Sequence, residues 1–390
     1  MEGSKMTQTA SISLEEITPL LCDLVAIDSI NPALVPGAAG ERAMAHYVAD
    51  WLAHAGLDVE IEEVAPDRFN VVGVARGSGG GRALMLNAHM DTVGVAGMEK
   101  PHEPVVNGQR LYGRGAYDMK GGLAAALVAA AHAKQRNLRG DVIVTAVCDE
   151  EYASIGTEAI ARQYRADAAI VTEPTELQIC VAHKGFVWLQ VETQGIAAHG
   201  SRPDLGVDAI AKMGHVLVGL EKLDQTLRAN PTHPQLKSGS LHASLVRGGQ
   251  ELSSYPERCV VDVERRTVPG ETPAQVQAQI QIILDELAST DPAFKATVKT
   301  TFVRDSFGIP EDAPIFQLVN RLATQKLGHA PNVIGVPFWM DTAILSAAGI
   351  PCLAFGPSGT GAHAVVEWVD LESVAKCTEI LLETAVEFCG

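Results

Sequence analysis

The first half of the chain alternates between segments typical of helices and segments typical of buried strands. Over residues 41–55, Met44, Val48, Trp51 and Leu52 recur at helical spacing, so a helix is predicted there. A strand is predicted at 59–64, and short continuous apolar runs indicate further strands buried on both faces. These runs lie at 70–75, 83–88, 142–147 and 168–171, and a long Ala/Leu-rich helix is predicted at 120–135. The alternation predicts an α/β fold, with a mixed sheet and helices on both of its faces.

The pattern changes at Lys184, where the segments become those of a smaller α+β unit. The predicted elements follow the order βαββαβ, which is typical of the split-βαβ or ferredoxin-like arrangement. The strands are predicted at 186–193, 240–246, 259–265 and 295–303, and the helices at 207–223 and 273–287. We therefore predict that residues 184–303 form a domain inserted into the first one.

After Phe307 the first pattern returns, with helices predicted at 313–326, 342–348 and 371–388 and a buried strand at 351–355. The first domain is therefore predicted to be discontinuous and to consist of residues 1–183 and 304–390. The glycine-rich stretch at 76–82 is predicted as a loop, because neither a helix nor a P-loop lysine follows it.

Composition narrows the class of protein. Hydrophobic residues make up 47% of the 390, an ordinary fraction for a globular protein with a large core. The formal net charge of −17 would repel phosphate backbones, which argues against a nucleic-acid partner. The seven cysteines are scattered without a C-x-x-C pair, which favours reduced, buried thiols and a reducing compartment, the cytoplasm. The first 16 residues lack the apolar core of a signal peptide, and no run of about 18 apolar residues predicts a membrane span.

Polar side chains with metal-binding chemistry follow several of the predicted strands. Sites in open α/β sheets form beyond the carboxyl ends of the strands, so these side chains are expected to meet. The candidates are His89 and Asp91 after 83–88, Asp118 before the Ala-rich helix, Asp149, Glu150 and Glu151 after 142–147, Glu173 after 168–171, and His363 after 351–355.

The candidate set combines two histidines with several carboxylates and no cysteine, which suits zinc, or cobalt or manganese. Two divalent ions about 3.5–4 Å apart share a carboxylate, polarise a carbonyl and activate water, and the reaction also needs a base. The two glutamates of the DEE run could divide the tasks of ligand and base, and Asp91 could support His89. Each motif alone is common: an acidic run is usually a solvated face, and Asp118 alone would be interpreted as a helix N-cap.

Seven motifs occur in a fixed order: NAHMDTV, GRGAYDMKGG, CDEE, VTEP, AAHGSRPDLGVDAI, ERRTVPGE and FGPSGTGAH. With them the chain resembles, over about residues 15–388, the zinc-dependent deacylase and exopeptidase family. That family includes acetylornithine deacetylase, succinyl-diaminopimelate desuccinylase, aminoacylase and glutamate carboxypeptidase. The resemblance implies that the inserted domain is a lid, often used for dimerisation, and that the protein is a homodimer.

The resemblance also implies a ligand set for two metal ions, most consistent with zinc. His89 and Glu173 would hold one ion, Glu151 and His363 would hold the other, and Asp118 would bridge both. In this family a glutamate at the position of Glu173 accompanies deacylases and carboxypeptidases, whereas many aminopeptidases have an aspartate there.

Roles in catalysis follow from the same resemblance. Glu150 would be the general base, and Asp91 would support His89 through its far ring nitrogen. In the inserted domain His199 would stabilise the tetrahedral oxyanion, often across the dimer, as a donor aimed at developing charge can.

Substrate binding is implied for the motif ERRTVPGE. Arg266 would bind the substrate carboxylate, which suits its forked guanidinium, while the neighbouring Arg265 is expected at the surface. The chain departs from the family at two positions: Ser253 stands where many relatives have asparagine, and Glu264 where many have aspartate. Ser253 is kept as a candidate substrate contact.

These expectations together predict metal-assisted hydrolysis of an N-acyl amino acid to a carboxylate and a free amino acid. A metallo-carboxypeptidase or dipeptidase on the same site is the alternative. It differs only in the group beyond the scissile bond, and the segment with Phe338, Trp339 and Asp341 is a candidate for the pocket that binds this group. For the two aromatic residues, ordinary core packing is an equal interpretation. A non-catalytic binding protein on this fold would be expected to lack a ligand or the base, and here none is missing.

Overall fold

The computed structural model describes residues 12–390 and divides into two compact units. The first comprises the residues up to Val181 together with Ile309–Ile334 and Met340–Gly390, and the second comprises Ala182–Gly308 and Gly335–Trp339. The second unit contains the whole of segment 184–303. Residues 1–11, which carry much of the expectation that no signal peptide is present, lie outside the described residues.

The elements of the described chain are named here in order along the sequence. The helices are α1 (Leu14–Ala26), α2 (Arg42–His54), α3 (Gly121–Lys134), α4 (Ile155–Gln163), α5 (Ala209–Ala229), α6 (Pro273–Thr290), α7 (Pro314–Leu327), α8 (Thr342–Ala347) and α9 (Leu371–Cys389). The strands are β1 (Asp58–Ala65), β2 (Arg68–Ala75), β3 (Leu84–His89), β4 (Val105–Asn107), β5 (Arg110–Tyr112), β6 (Val142–Val147), β7 (Ala168–Val171), β8 (Ile179–His183), β9 (Gly185–Gln194), β10 (Ser240–Gly248), β11 (Arg258–Thr267), β12 (Lys295–Arg304), β13 (Phe307–Gly308), β14 (Val333–Val336), β15 (Cys352–Ala354), β16 (Gly359–Thr360) and β17 (Trp368–Asp370).

The large sheet of the first unit runs in the order β1-β2-β6-β3-β7-β15-β8. Its centre is parallel: β3 pairs with β6 on one side and β7 on the other, and β7 pairs with β15. The strands β1 and β2 are antiparallel to each other and β2 is antiparallel to β6, so the sheet is mixed. The predicted α/β fold class is confirmed.

The core of the first unit lies along the central strands. All six residues of β3 and all six of β6 are buried, as expected for strands covered on both faces. The Ala-rich helix α3 packs with α9, and it approaches the sheet closely at Gly122, where a Cβ atom would lie 1.9 Å from the backbone oxygen of Thr172. Position 122 therefore requires a glycine, because it packs against the residue that precedes Glu173, at the edge of the sheet where the candidate site forms.

The second unit has the predicted βαββαβ order. Its antiparallel strands lie in the order β10-β11-β9-β12, the ferredoxin-like arrangement. One face packs against α5 and α6, with Val187, Leu189 and Val191 of β9 in the core. The alternate residues of β9, such as Phe186 and Trp188, point to the other face, because side chains alternate along a strand.

All predicted strands and helices of the first unit are present, with ends shifted by a few residues. The helices α1 and α4 were not predicted; α4 has only nine residues, which is too short for a clear helical period. All seven cysteines are free and six of them are buried. In residues 12–390 no helix combines the length and the apolar character that crossing a membrane requires.

Candidate metal centre and active site

Four adjacent parallel strands place the candidate residues at one edge of the sheet. His89 is the last residue of β3, Glu150 and Glu151 follow β6, and Glu173 follows β7. The segment after β15 leads through β16 to His363. Because the carboxyl ends of parallel neighbours lie together, these side chains converge although they are far apart in sequence.

His89 is at the centre of the first group of ligands. Its Nδ1 lies 2.9 Å from the backbone oxygen of Asp91. With the ring proton on Nδ1 in that hydrogen bond, the lone pair of Nε2 is free to bind a metal ion. The Nε2 atom lies 3.2 Å from Oδ1 of Asp118, 3.8 Å from Oε1 of Glu173 and 4.0 Å from Oε2 of Glu150. The support of His89 therefore comes from the carbonyl of Asp91, whose carboxylate Oδ1 lies 3.7 Å away.

The second group forms around His363. Its Nε2 lies 3.0 Å from Oε2 of Glu151 and 3.4 Å from Oδ2 of Asp118. The two oxygens of Asp118 thus face different imidazoles, Oδ1 towards His89 and Oδ2 towards His363. Asp118 precedes the N-cap of α3, which is Lys120, and the helix has no side-chain cap.

These residues fit a pair of cations. In each of two groups of side chains, the possible ligand atoms all lie within 4.8 Å of one another. One group is His89, Asp118 and Glu151, and the other is His89, Glu150 and Glu173. The Oε1 atom of Glu151 is buried without a hydrogen-bond partner. Buried carboxylate oxygens that lack a donor are costly unless a cation lies beside them.

The pKa values of the clustered side chains also favour bound cations. Burial, together with the charge of Glu173, raises the pKa of Glu150 well above its usual range. Burial raises the pKa of Glu173 to about 8. The hydrogen bonds to Asp118 and Glu151 raise the pKa of His363 to about 10. Several acids in one pocket cannot all ionise cheaply, and divalent cations would remove that penalty.

The loop that carries Asp118 is held by Glu367, a residue that the sequence analysis missed. Its carboxylate accepts hydrogen bonds from the backbone N–H groups of Gly115, Tyr117 and Asp118, at 2.9–3.0 Å, and it pairs with Arg114 at 2.6 Å. Glu367 follows His363 by four residues, and no motif marked it.

Asp341 is a further buried carboxylate of the first unit. One oxygen accepts a hydrogen bond from Oγ1 of Thr157 at 2.6 Å, and the other has no hydrogen-bond partner. Burial raises its pKa to about 6. Of its two aromatic neighbours in sequence, Phe338 is exposed, so the core-packing interpretation fails for it, while Trp339 is partly buried against the ring of His183.

In the second unit, His199 is exposed, and its hydrogen bonds to Ser201 indicate one tautomer of the ring. Its Nδ1 accepts a hydrogen bond from the backbone N–H of Ser201 at 3.2 Å and lies 2.8 Å from the Ser201 hydroxyl. A neutral imidazole that accepts at Nδ1 carries its proton on Nε2, so Nε2 is a donor. Ser253 is exposed beside this turn, and its backbone oxygen accepts the N–H of Gly200 at 2.6 Å.

The two neighbouring arginines of β11 lie on opposite faces of its sheet. Arg266 is half-buried, donates to Glu264 at 2.6 Å and lies over the ring of Phe186. Arg265 is fully buried and pairs with Glu271, so its expected surface position is wrong. The alternation of side chains along the strand explains why adjacent residues differ so strongly.

A sequence model of peptidase family M20/M25/M40 matches residues 85–387. The chain belongs to this family. The match confirms the resemblance to zinc-dependent deacylases and exopeptidases, and together with the ligand cluster it identifies this M20 protein as a metal-dependent hydrolase.

Curated relatives cover nearly the whole M20 chain. It is 31% identical to an acetylornithine deacetylase of Myxococcus xanthus, over 97% of this chain and 99% of the relative. It is 27% identical to an N-formyl-4-amino-5-aminomethyl-2-methylpyrimidine deformylase of Bacillus subtilis (strain 168), over 96% of this chain and 95% of the relative.

Solved structures agree on the fold. The aminopeptidase PepT of Bacillus cereus matches with a TM-score of 0.78 at 17% identity, over 97% of this chain and 100% of its own. A dinuclear metal-binding peptidase of the M20 family from Bacillus subtilis matches with a TM-score of 0.75 at 17% identity, over 96% of this chain and 98% of its own.

Proposed function

We propose that this M20 hydrolase cleaves the amide bond of an N-acyl amino acid and releases a carboxylate and a free amino acid, as an acetylornithine deacetylase does. The observation that carries the proposal is the position of Asp118 between His89 and His363, with Glu150 beside the same cluster. This arrangement suits two-metal hydrolysis of an amide.

Two divalent ions would be held by five side chains. His89 and Glu173 would bind one, Glu151 and His363 the other, and Asp118 both. The donor set of imidazoles and carboxylates favours zinc, with cobalt or manganese as alternatives. When bound, the ions would polarise the acyl carbonyl and lower the pKa of a water molecule.

The side chains of the protein would then move the protons. Glu150 would accept the proton of the attacking water and pass it to the nitrogen of the leaving amine. Nε2–H of His199 would donate to the oxyanion, and the guanidinium of Arg266 would bind the substrate carboxylate, with Ser253 nearby. In this proposal the second unit is a lid, and it also forms the interface through which two chains dimerise.

Deacylation is favoured over peptide hydrolysis by the relatives. The names of the two curated relatives both denote removal of a small acyl group, acetyl or formyl. Glu173 rather than an aspartate is in keeping with a deacylase. The free, mostly buried cysteines support a cytoplasmic location.

A hydrolysis screen tests the proposal. The metal-free protein would be reconstituted with zinc, cobalt or manganese and offered acetyl, formyl, succinyl and aromatic acyl amino acids beside dipeptides. We expect turnover of one or more acyl amino acids, with dipeptides much slower. Faster turnover of dipeptides would make the chain a dipeptidase, and bound metal without turnover of any amide would contradict the proposed activity.

A further inference from the structure

A buried chain of hydrogen bonds begins beneath the candidate site, at Glu41 and Arg68. The guanidinium of Arg68 binds the Glu41 carboxylate through two nitrogens, at 2.8 and 2.5 Å. The same guanidinium lies 2.9 Å from Oδ1 of Asp149. Arg68 therefore joins two carboxylates that are 108 residues apart in sequence, and all three side chains are almost completely removed from solvent.

Asn31 extends this network of hydrogen bonds towards the candidate metal site. Its Nδ2 donates to Oδ1 of Asp149 at 3.0 Å and to Oδ2 of Asp91 at 2.8 Å. Its Oδ1 accepts the N–H of Ala33 at 2.9 Å. Because the backbone N–H needs an acceptor, the amide cannot be flipped without losing all three hydrogen bonds.

Asp91 completes the connection to the acidic loop. Its Oδ1 accepts the backbone N–H of Glu150 at 3.1 Å, and its Oδ2 accepts that of Glu151 at 3.2 Å. The chain of contacts thus ends on the two residues proposed as base and ligand.

The loop itself needs such support. Asp149, directly before Glu150, has a φ of +68°, in the left-handed region that residues with a Cβ rarely adopt. Its carboxylate is held by Arg68 and Asn31, while its backbone oxygen accepts the N–H of Ala153 at 3.0 Å. A strained conformation persists only where the surroundings impose it, and strained residues concentrate at functional sites.

We propose that Arg68 and Asn31 are positioning residues of the reaction, which act through Asp149 and Asp91 to set the place of the Glu150 carboxylate. The proposal rests on the proposed role of Glu150 as the base. Neither residue contacts the ligand cluster directly. Buried ion pairs of this kind contribute little to stability relative to apolar packing, but they can define a single arrangement.

The first test is Arg68→Lys, assayed with saturating metal. Lysine keeps the charge but cannot bind two carboxylates with a planar fork. We expect kcat to fall by about 10–100-fold with KM within about twofold and two ions still bound, because a small displacement of a catalytic group lowers the rate strongly.

The matched control is Arg76→Lys. Arg76 also joins two carboxylates, those of Asp58 at 3.1 Å and Asp141 at 2.9 Å, but its side chain is 57% exposed against 10% for Arg68. We expect kcat and KM of this variant to remain at the wild-type values.

A second variant covers the case in which Arg68→Lys does not fold. Asp149→Asn keeps the size of the side chain, and asparagine tolerates the left-handed conformation better than most residues. Its Oδ1 can still accept from Asn31, but the negative charge that pairs with Arg68 is lost, so we expect a selective loss of kcat in the same direction. Where both variants fold, the effects in the double variant should be smaller than the product of the single effects, because both act on one contact.

The outcomes separate this proposal from the proposed function. If Glu150→Gln abolishes turnover while Arg68→Lys and Asp149→Asn behave like Arg76→Lys, the positioning role is wrong and the proposed base stands. If Glu150→Gln retains turnover, the base itself is wrong, and the positioning role falls with it. A loss of kcat in Arg68→Lys that disappears when more metal is added would also overturn the proposal, because it would show a defect in metal binding instead.

Discussion

At the scale of single residues, the chemistry of the site depends on which oxygen faces which imidazole. Asp118 presents Oδ1 to His89 and Oδ2 to His363, at 3.2 and 3.4 Å. A carboxylate in this position can neutralise part of the charge of two cations at once. Two dications about 4 Å apart repel each other strongly in a poorly solvated site, so a carboxylate between them would favour the binding of both.

If Asp118 bridges the two ions as proposed, its replacement should affect the metal content first. We expect Asp118→Ala to lose one or both ions and most of the activity, as measured by elemental analysis after dialysis. If two ions per chain remained bound as tightly as in the wild type, Asp118 would have only a local structural role.

Glu150 should show the opposite behaviour. Glu150→Gln keeps the size of the side chain but cannot accept a proton, so kcat should fall by about 10²–10⁴ with the metal content near that of the wild type. The matched control is Glu372→Gln, an exposed glutamate in the first turn of α9, which should have no effect. Near-wild-type turnover of Glu150→Gln would remove it from the mechanism.

At the scale of elements, helix ends and strand ends determine where side chains can act. In the second unit, α6 begins with a capping box, in which Oγ1 of Thr272 accepts the N–H of Gln275 at 3.3 Å. The Gln275 side chain in turn accepts the N–H of Thr272 at 2.9 Å. Both contacts satisfy backbone donors that the helix itself leaves without a partner.

The capping box gives a test of stability that is independent of the site. Thr272→Ala removes the acceptor and should lower the free energy of unfolding by about 1 kcal/mol. Thr272→Ser keeps the hydroxyl and should retain most of it. Thermal unfolding followed by circular dichroism compares the three proteins. Equal midpoints for all three would mean that this cap contributes nothing to stability.

At the scale of the whole molecule, the proposed function requires His199, in the second unit, to act in a reaction centred on the first unit. Its Nε2 is a donor, as the proposed oxyanion contact requires. Such a contact strengthens in the transition state, and closure of a lid would exclude water at the same time.

His199→Ala should therefore leave both ions in place and lower kcat more than it raises KM. The control is His215→Ala, an exposed histidine on α5 of the same unit. Equal kinetics of the two variants would exclude His199 from catalysis.

Mixing experiments then decide which chain supplies the histidine. If His199 acts across a homodimer, His199→Ala chains mixed with Glu150→Gln chains should recover towards half the wild-type rate per heterodimer, since one site is again complete. Mixing Glu150→Gln with Asp118→Ala, both changed in the first unit, should restore nothing. With heterodimers confirmed, no recovery in the first mixture would mean that each lid serves its own site.

The sequence by itself determined much of the fold and the set of candidate ligands. Apolar runs predicted β2, β3, β6 and β7, helical spacing predicted α2, and the Ala/Leu-rich composition predicted α3, because all three signals are local properties of the chain. The strand-end rule also predicted that His89 and Glu173 would meet, since parallel neighbours end at the same edge. The motifs were sufficient to recognise the family.

Only the tertiary structure decided which polar groups hold these ligands in place. Asn31 and Asp91 are 60 residues apart, and Glu367 and Asp118 are 249 apart, so no local pattern connects them. Likewise, only the helices packed on one face of β11 decided that Arg265 is buried and Arg266 partly exposed. A hydrogen bond is formed or lost over a few tenths of an ångström, and that precision is set by the packing of distant segments, which spacing along the chain does not encode.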